Sequence, residues 1–428
     1  MQAFEYAGGV LRCEGVPLTE IAERFGTPTY VYARNAIRGA YREFAQAAAR
    51  WSEASPGCRA LVTYAVKANS NLAVLHDLAQ EGAGFDIVSA GELARVLAAG
   101  GRADRVVFSG VGKSADEIGA ALAAGVAGFN VESEAELARI EQVAARTGRR
   151  ARVSLRVNPD VDAGTHPYIS TGLKQNKFGI AHDRAVEVYR HAATLAHLDV
   201  IGIDCHIGSQ ITSTGPFLAA LDKVLELVDA IGRAGIALHH LDLGGGLGVR
   251  YADETPPARA ALLEALLGRV DAWRGGRPVE VVFEFGRSIV AEAGALLTRV
   301  EYLKDNGARH FAVVDAAMND LLRPTLYDAH HPVLPVSRGD SGQPSTSYDI
   351  VGPVCESGDW LARDRALALA EGDLLAVLCA GAYGFAMSSN YNARPRAAEV
   401  MVDAGRVEPI RARERVEDLW RGERVVSD

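Results

Sequence analysis

A lysine directly follows an apolar run in the stretch LVTYAVKANSN. Leu61–Val66 has the composition of a buried strand, and Lys67 stands at its end. Such a lysine is either the solvated end of an ordinary strand or an amine held in a pocket. A pocket that disfavours the charged ammonium makes the amine a nucleophile, able to form a Schiff base with a carbonyl group. Lys67 alone does not decide between these two interpretations.

A glycine cluster and a nearby serine could bind an anion. Gly244–Gly246 follow a strand-like run in LDLGGGLG, and Ser209 lies in CHIGSQ. Glycines allow backbone N–H groups to approach a phosphate closely, and a serine hydroxyl can reach a phosphate oxygen. A glycine cluster also often forms nothing more than a turn, so this motif alone is weak.

Two further side chains could contact a planar cofactor. His206 follows one strand-like run, where an imidazole could pack on a ring, although a structural histidine is an equally good interpretation. Glu284 ends the run VVFE and could hold a protonated ring nitrogen, which an electron-withdrawing cofactor requires. A surface ion pair with Arg287 is the alternative. Together, the amine, the anion site, the carboxylate and the histidine form the set that pyridoxal phosphate needs.

Strand-like runs alternate with helical segments between residues 61 and 287. The runs are Leu61–Val66, Phe85–Val88, Arg105–Phe108, Gly128–Val131, Val153–Val157, Val200–Cys205, Leu238–Leu243 and Val279–Phe283. This alternation predicts parallel strands joined by right-handed crossovers, and eight units favour a closed (β/α)8 TIM-like barrel over an open doubly wound sheet. In a barrel, Lys67, His206, the glycine cluster and Glu284 would meet at one mouth.

The sequence after residue 287 has a different, β-rich character. Strand-like runs follow one another with few long helical stretches, and the opening stretch Phe4–Leu18 resembles a hairpin that turns at Gly8-Gly9. We therefore predict a barrel domain at 35–287 and a second, β-sandwich- or barrel-like domain formed by 1–34 and 288–428. Residues 329–347 read as an exposed loop, and Pro324 argues against one continuous helix through Arg323 and Tyr327.

Composition and charge exclude several classes of protein. The 428 residues carry a net charge of −9 without a concentrated basic stretch, which argues against nucleic acid as the main partner. No apolar run is long enough to span a membrane, and the first residues lack the pattern of a signal peptide. The five cysteines are scattered, odd in number and without metal-ligand spacing, which predicts thiols in a reducing cytoplasm and no metal site.

Several long motifs resemble the diaminopimelate decarboxylase family, pyridoxal-phosphate enzymes with an alanine-racemase-like barrel. The resemblance runs nearly from end to end. Its motifs are GTPTYVY, YAVKAN, GFDIVSAGEL, the stretch Val153–Ile180, CHIGSQ, LDLGGGLG, RPTLYDA, GPVCESGD and AGAYG. The resemblance implies decarboxylation of meso-2,6-diaminopimelate to L-lysine, the last step of lysine biosynthesis.

The resemblance also implies roles for individual residues. Lys67 matches the Schiff-base lysine, His206 the residue stacked on the cofactor, and Cys355 the proton donor. Cofactor-binding positions are Ser209, Gly244, Gly245, Gly246, Glu284, Gly286, Arg287 and Tyr383, and substrate-binding positions are Arg287, Arg323, Tyr327, Glu356 and Tyr383. In the family, the Cys-Glu segment reaches the active site of a neighbouring subunit, which implies a homodimer.

One position departs from the family pattern. Phe285 replaces the proline that usually follows the acid, and we expect it to free that loop and to add a large ring near the site. The alternatives are a related barrel decarboxylase of ornithine, arginine or a carboxy-polyamine, and a non-catalytic protein that binds pyridoxal phosphate. A racemase would share the barrel and the lysine, but the Cys355-Glu356 segment disfavours it. The roles of Asp86 and Lys177 stay open.

Overall fold

The computed structural model describes residues 3–161, 177–338 and 344–426. Residues 162–176, which belong to the Val153–Ile180 motif, lie outside the described residues. The chain forms two compact units. The barrel unit comprises 40–250 and 254–289, and the β-rich unit comprises 1–39, 251–253 and 290–428. Each unit is described by itself.

The strands and helices of the described residues follow in chain order. The strands are β1 Phe4–Ala7, β2 Val10–Cys13, β3 Val16–Pro17, β4 Thr29–Ala33, β5 Arg59–Ala65, β6 Gly84–Ile87, β7 Val106–Phe108, β8 Gly128–Val131, β9 Ala151–Asn158, β10 Ile180–Ala181, β11 Leu198–Asp204, β12 His240–Asp242, β13 Glu280–Phe285, β14 Gly294–Asp305, β15 His310–Val314, β16 Val333–Pro335, β17 Thr346–Val351, β18 Trp360–Leu367, β19 Leu374–Val377, β20 Ala398–Asp403 and β21 Arg406–Arg411. The α-helices are α1 Leu18–Phe25, α2 Arg34–Ala54, α3 Leu72–Gln80, α4 Ala90–Ala98, α5 Ala115–Ala124, α6 Glu134–Thr147, α7 Ala185–Ala192, α8 Gly215–Arg233, α9 Arg259–Arg274, α10 Arg287–Val290 and α11 Arg323–Tyr327.

The barrel unit contains a closed ring of parallel strands. The ring runs β5-β6-β7-β8-β9-β11-β12-β13 and closes where β13 pairs with β5. The short strand β10 adds a parallel pair to β9. The closed ring confirms the predicted eight-stranded barrel and excludes the open sheet. All eight ring strands overlap the runs read from the sequence, because β-branched runs bounded by glycine and polar residues suit buried parallel strands.

Aromatic stacking fixes the end of β13 that carries Glu284. Phe285 is 1% exposed and stacks on Phe44 of α2, with ring centroids 4.1 Å apart and planes 9° apart. On its own strand, Phe283 lies parallel to Phe285 at 5.9 Å. Residues two apart on a strand share a face, so both rings point away from the side occupied by Glu284. The expectation that Phe285 places a ring near the site is therefore wrong, and Phe285 lies in a paired strand instead of a free loop.

The β-rich unit is built on a mixed sheet. The strand order is β18-β17-β15-β14-β4-β20-β21, and β19 pairs with both β14 and β16. The central strand β14 is 12 residues long and is antiparallel to β15, β19 and β4. The N-terminal strand β4 thus lies inside this sheet, and β1 and β2 form the predicted hairpin around Gly8-Gly9. A separate β-rich domain, as predicted, is confirmed.

Two local expectations are wrong. Part of the supposed loop 329–347 is strand β16, whose pairing with β19 buries Val333, and residues 339–343 lie outside the described residues. Arg323 and Tyr327 do belong to one short helix, α11, because Pro324 occupies its first turn. There the missing N–H has no intrahelical partner to lose.

None of the helices in the described residues combines the length and the apolar character needed to cross a bilayer.

Replacing Phe285 with alanine should weaken the barrel unit. We expect Phe285→Ala to lower the free energy of unfolding by about 3–5 kcal/mol, because it leaves a cavity beneath α2. Denaturant unfolding followed by fluorescence measures the change. Leu97→Ala, on helix α4 with 42% of Leu97 exposed, is the control and should change stability little. Similar losses in the two variants would contradict the proposed role of the stack.

Candidate active site

Polar side chains from most of the barrel strands gather at the carboxyl ends of those strands. Lys67 lies in the turn after β5, Ser109 after β7 and His206 after β11, while Asp86, Asn130 and Glu284 lie within β6, β8 and β13. Ser89 and Ser133 have another task, because their hydroxyls cap α4 and α6 by accepting from the backbone N–H groups of Glu92 and Glu136. Lys67, His206 and Glu284 thus lie at the same end of the barrel, as the closed-barrel prediction requires, and Asp86, Ser109 and Asn130 join them there.

The amine of Lys67 is held by a buried carboxylate. Lys67 Nζ lies 2.6 Å from Oδ2 of Asp86, and the Asp86 side chain is fully buried while that of Lys67 is 37% exposed. Asp86 was left without a role by the sequence, because an aspartate inside a strand-like run gives no local signal of a partner 19 residues away. The carboxylate favours the charged amine, so the proton must leave before the amine can attack a carbonyl.

Glu284 is a buried carboxylate fixed by two donors. Its Oε1 accepts hydrogen bonds from Ser109 Oγ at 3.3 Å and from Asn130 Nδ2 at 3.2 Å. Burial raises the pKa of Glu284 well above its usual range, and the neighbouring charges of Asp242, Asp86 and Asp204 raise it further, while Lys67 opposes this. Asn130 was not found from the sequence, where it is one polar residue in an apolar strand.

The glycine cluster is required by close contacts with the neighbouring backbone. A Cβ atom on Gly245 would lie 2.0 Å from the carbonyl oxygen of Glu284, and one on Gly246 would lie 2.2 Å from that of Gly208. The N–H groups of Gly244 and Gly245 donate to Asp242 Oδ1 and His206 Nδ1. The N–H of Gly246 has no hydrogen-bond partner among the described residues, so it remains available to an anion.

Ser209 and Arg287 are joined in a second polar group of the barrel unit. Nε and Nη2 of Arg287 donate to Ser209 Oγ at 3.2 and 3.1 Å, and Arg287 is 5% exposed. A buried guanidinium beside a hydroxyl suits a phosphate or a carboxylate. Gly286, between Glu284 and Arg287 in the motif, is also constrained, because a Cβ there would approach Ala68 Cβ to 3.0 Å.

His206 is held as a neutral ring. The backbone N–H of Gly245 donates to His206 Nδ1 at 3.1 Å, which makes Nδ1 the acceptor and leaves the proton on Nε2. Burial lowers the pKa of His206 well below its usual range, and the positive charges of Arg156 and Lys67 lower it further. A neutral imidazole of fixed orientation can pack on a planar ring without adding charge.

The residues that could hold pyridoxal phosphate fit its chemical groups. Lys67 offers an amine for the aldehyde and Glu284 a carboxylate for the ring nitrogen. Gly246, Ser209 and Arg287 offer donors for the phosphate. Backbone atoms occupy the space that side chains at Gly245 and Gly246 would fill, so only glycine allows the chain to pass this close to its neighbours.

The β-rich unit has a polar group of its own around Arg323. Arg323 is 5% exposed, its Nη1 donates to Nε2 of His331 at 2.8 Å, and its guanidinium lies 4.7 Å from the centroid of the Tyr251 ring. His331 is fully buried, and its Nδ1 donates to the carbonyl oxygen of Leu378 at 2.9 Å. The backbone thus fixes the histidine tautomer, and the histidine fixes the guanidinium. His331 was not singled out from the sequence.

Arg323 and Tyr327 lie one helical turn apart, since α11 places residues four apart on the same face.

Tyr383 has a left-handed backbone with φ of 54°, which is strained for a tyrosine and is a feature often found at functional sites.

Cys355 and Glu356 lie on an exposed turn. The backbone N–H of Cys355 donates to Oδ1 of Asn392 at 2.8 Å, and the Tyr391 hydroxyl donates to Oε2 of Glu356 at 3.4 Å. Glu356 lines a cavity of about 650 Å³ together with Met318, Asn319, Leu322, Thr325, Gly358, Ser389 and Tyr391. The turn is therefore held in shape while its thiol and carboxylate are presented outward.

Lys177 lies beside the Phe178 ring, 5.4 Å from its centroid.

Comparison with known proteins gives consistent matches. The model of the pyridoxal binding domain of pyridoxal-dependent decarboxylases matches residues 41–291. A diaminopimelate decarboxylase of Pseudomonas aeruginosa is 59% identical, and one of Vibrio cholerae is 53% identical, each over the full length of both chains. Among solved structures, diaminopimelate decarboxylase from M. jannaschii in complex with L-lysine is 37% identical with a TM-score of 0.94, covering 99% of this chain and 98% of the other.

The neutral state of His206 gives a prediction for its titration. In protein labelled with ¹⁵N-histidine, the His206 signals, assigned from a His206→Asn variant, should show a proton on Nε2 and none on Nδ1. They should stay unchanged between about pH 5.5 and 8, because the folded protein disfavours the imidazolium. A His206 signal that moves to the doubly protonated form within this range would contradict the assignment.

Proposed function

The chain belongs to the diaminopimelate decarboxylase family, and we propose that it converts meso-2,6-diaminopimelate to L-lysine and carbon dioxide, the last step of lysine biosynthesis. As a member of this family it is a carboxy-lyase that depends on pyridoxal phosphate. The observation that carries the proposal is the barrel mouth, where Lys67 and Glu284 come from strands that pair directly. A relative that binds L-lysine, at 37% identity, supports the identity of the product.

In the barrel unit, we assign each side chain to one part of the cofactor. Bound pyridoxal phosphate supplies an electron-withdrawing ring that takes up the electrons left when a carboxylate departs as carbon dioxide. Lys67 would hold the aldehyde through its amine, His206 would cover one face of the ring, and Glu284 would accept a hydrogen bond from the ring nitrogen. The phosphate would be held by Ser209, the turn Gly244–Gly246, Gly286, Arg287 and Tyr383.

The far end of the substrate carries a second carboxylate and a second ammonium. We assign Arg287, Arg323, Tyr327, Glu356 and Tyr383 to this end. A guanidinium can bind a carboxylate through two parallel hydrogen bonds, and the Glu356 carboxylate suits an ammonium. Because His331 and Tyr251 hold the guanidinium of Arg323, that group loses little freedom on binding. An amino acid without the far carboxylate would lack this charge-assisted contact with a buried guanidinium, which disfavours it strongly.

We assign proton return to Cys355 and propose a homodimer with shared active sites. The thiol would give its Sγ proton to the carbon that has lost the carboxylate. Proton transfer of this kind requires a water-poor site, yet the Cys355-Glu356 turn is exposed in the single chain. A second subunit that presents its barrel to this turn would exclude the water. In this proposal, the β-rich part, 1–34 and 288–428, completes the site of the partner's barrel part, 35–287.

A cytoplasmic location fits these assignments. None of the five cysteines is joined in a disulfide, which agrees with a reducing compartment.

The second candidate function is that of a related decarboxylase, which acts on ornithine, arginine or a carboxy-polyamine. A candidate from another class is a non-catalytic protein that carries the cofactor. The buried Arg287 and Arg323 favour a substrate with a far carboxylate over ornithine or arginine. The presence of Lys67, Cys355 and both arginines disfavours a carrier, which has no use for a proton donor.

A substrate panel tests the reaction. Purified protein with pyridoxal phosphate should release carbon dioxide from meso-diaminopimelate and not from L-ornithine, L-arginine or L-lysine. Lys67→Ala should abolish both this release and the visible absorbance of the lysine-bound cofactor, since no other amine replaces Nζ. Release from ornithine or arginine instead would overturn the substrate assignment, and unchanged turnover in Lys67→Ala would overturn the assignment of the nucleophile.

Mixing two inactive variants tests the shared site. Lys67→Ala and Cys355→Ala should each be nearly inactive alone. When the two are unfolded together and refolded, about a quarter of wild-type activity should return, because half of the dimers are mixed and each has one intact site. The control refolds each variant alone. If Cys355 served the barrel of its own chain, every site would lack one residue and no activity would return.

A further inference from the structure

Three buried carboxylates occupy neighbouring strands of the barrel. Asp204 ends β11, Asp242 ends β12 and Glu284 lies in β13, with exposed fractions of 1%, 0% and 6%. One ligand-type oxygen from each lies within 4.8 Å of the others. Like charges this close in a buried site cannot all ionise at neutral pH, so the group must hold at least one proton or a cation.

The surrounding cations offset only part of this negative charge, because each is paired more closely with another carboxylate. Arg156 is the nearest cation to Asp204, but its Nη1 lies 2.7 Å from Glu132 Oε1, whereas its Nε lies 3.9 Å from Asp204 Oδ2. Lys67 is paired with Asp86, which adds a further negative charge. On the strand β12, His240 lies 3.1 Å from Glu280.

Hydrogen bonds distinguish the three carboxylates. Asp242 accepts from Asn130 Nδ2 and from the Gly244 N–H, each at 3.0 Å, and Glu284 accepts from Asn130 and Ser109. Donors of this kind favour the ionised form of a carboxylate. In contrast, Asp204 Oδ1 is buried and has no hydrogen-bond partner among the described residues. Asp204 is therefore the member of the group in which ionisation is least supported.

We propose that Asp204 is a positioning residue that carries a proton at neutral pH, so that Glu284 stays ionised to receive the cofactor's ring N–H. This inference rests on the proposed role of Glu284. Burial raises the pKa of Asp204 well above its usual range, and Asp242, Glu132 and Asp86 add to this while Arg156 opposes it. A negative charge on Asp204 would favour protonation of Glu284, and a neutral Glu284 would hold the ring N–H less strongly than a carboxylate does.

Infrared spectroscopy tests this directly. At neutral pH, the spectrum of the cofactor-loaded wild type minus that of Asp204→Asn should contain the C=O stretch of a protonated carboxyl group, shifted in D2O. Asp199→Asn is the matched control, because Asp199 lies exposed on the same strand β11, and its difference spectrum should lack this band. Absence of the band from the Asp204→Asn difference would overturn the inference. A melting temperature raised by added Mg²⁺ or K⁺ in wild type only would assign the group to a cation instead, and would overturn it too.

The pH dependence of stability gives a second readout. A carboxyl group whose folded-state pKa is raised binds more protons in the folded than in the unfolded state, so its contribution to stability falls as pH rises above the unfolded pKa of about 3.9. The melting temperature of Asp204→Asn minus that of wild type should therefore increase between about pH 5 and 8. A difference that does not change with pH would mean that Asp204 is ionised throughout.

The role of Glu284 is tested separately. Glu284→Gln should lower turnover of meso-diaminopimelate strongly if Glu284 contacts the ring nitrogen. Unchanged turnover in Glu284→Gln would contradict the assignment of Glu284 but would not affect the infrared result for Asp204. Lowered turnover in Glu284→Gln, together with absence of the infrared band, would contradict only the inference about Asp204.

Discussion

The parallel closure of the barrel is the constraint on which the candidate site depends. Lys67 and Glu284 are more than 200 residues apart in the sequence, and they meet because β13 pairs with β5 in a register that sets Glu284 opposite Thr63. Parallel pairing brings the carboxyl ends of all ring strands to the same side. A shift of this register by one residue would turn Glu284 towards the helices and Phe285 towards the mouth. The stack of Phe285 on Phe44 opposes such a shift.

A polar layer inside a closed barrel must balance its charges within the protein. The barrel does so with a buried network of backbone, amide and hydroxyl donors, in which one Asn130 side chain serves both Asp242 and Glu284. Removing one member of such a network leaves its partners unsatisfied, so the cost exceeds that of a single hydrogen bond. The shared Asn130 donor thus ties the orientations of Asp242 and Glu284 to each other.

The sequence predicts the barrel strands well, because each has a local signal of β-branched residues between glycine or polar residues. Lys67, His206 and Glu284 are candidates because they lie at strand ends, whereas Arg323, Tyr327, Cys355, Glu356 and Tyr383 are candidates only through the family resemblance. The sequence does not predict the contacts of Asp86, Asn130 and His331, because their partners are distant in sequence and become neighbours only through the fold. Pro324 was misread because a proline is tolerated in the first turn of a helix. Phe285 was misread because a motif position does not reveal to which side of a strand a side chain points.

The ion pair between Lys67 and Asp86 has a consequence for chemical selectivity. A protonated amine has no lone pair, so in this state Lys67 cannot condense with aldehydes that diffuse into the barrel mouth. An aldehyde that is held at the mouth by its own phosphate stays long enough for the proton to leave. Metabolic aldehydes without such a tether depart first. The ion pair with the buried aspartate thus makes the reactivity of Lys67 depend on how long an aldehyde stays at the mouth.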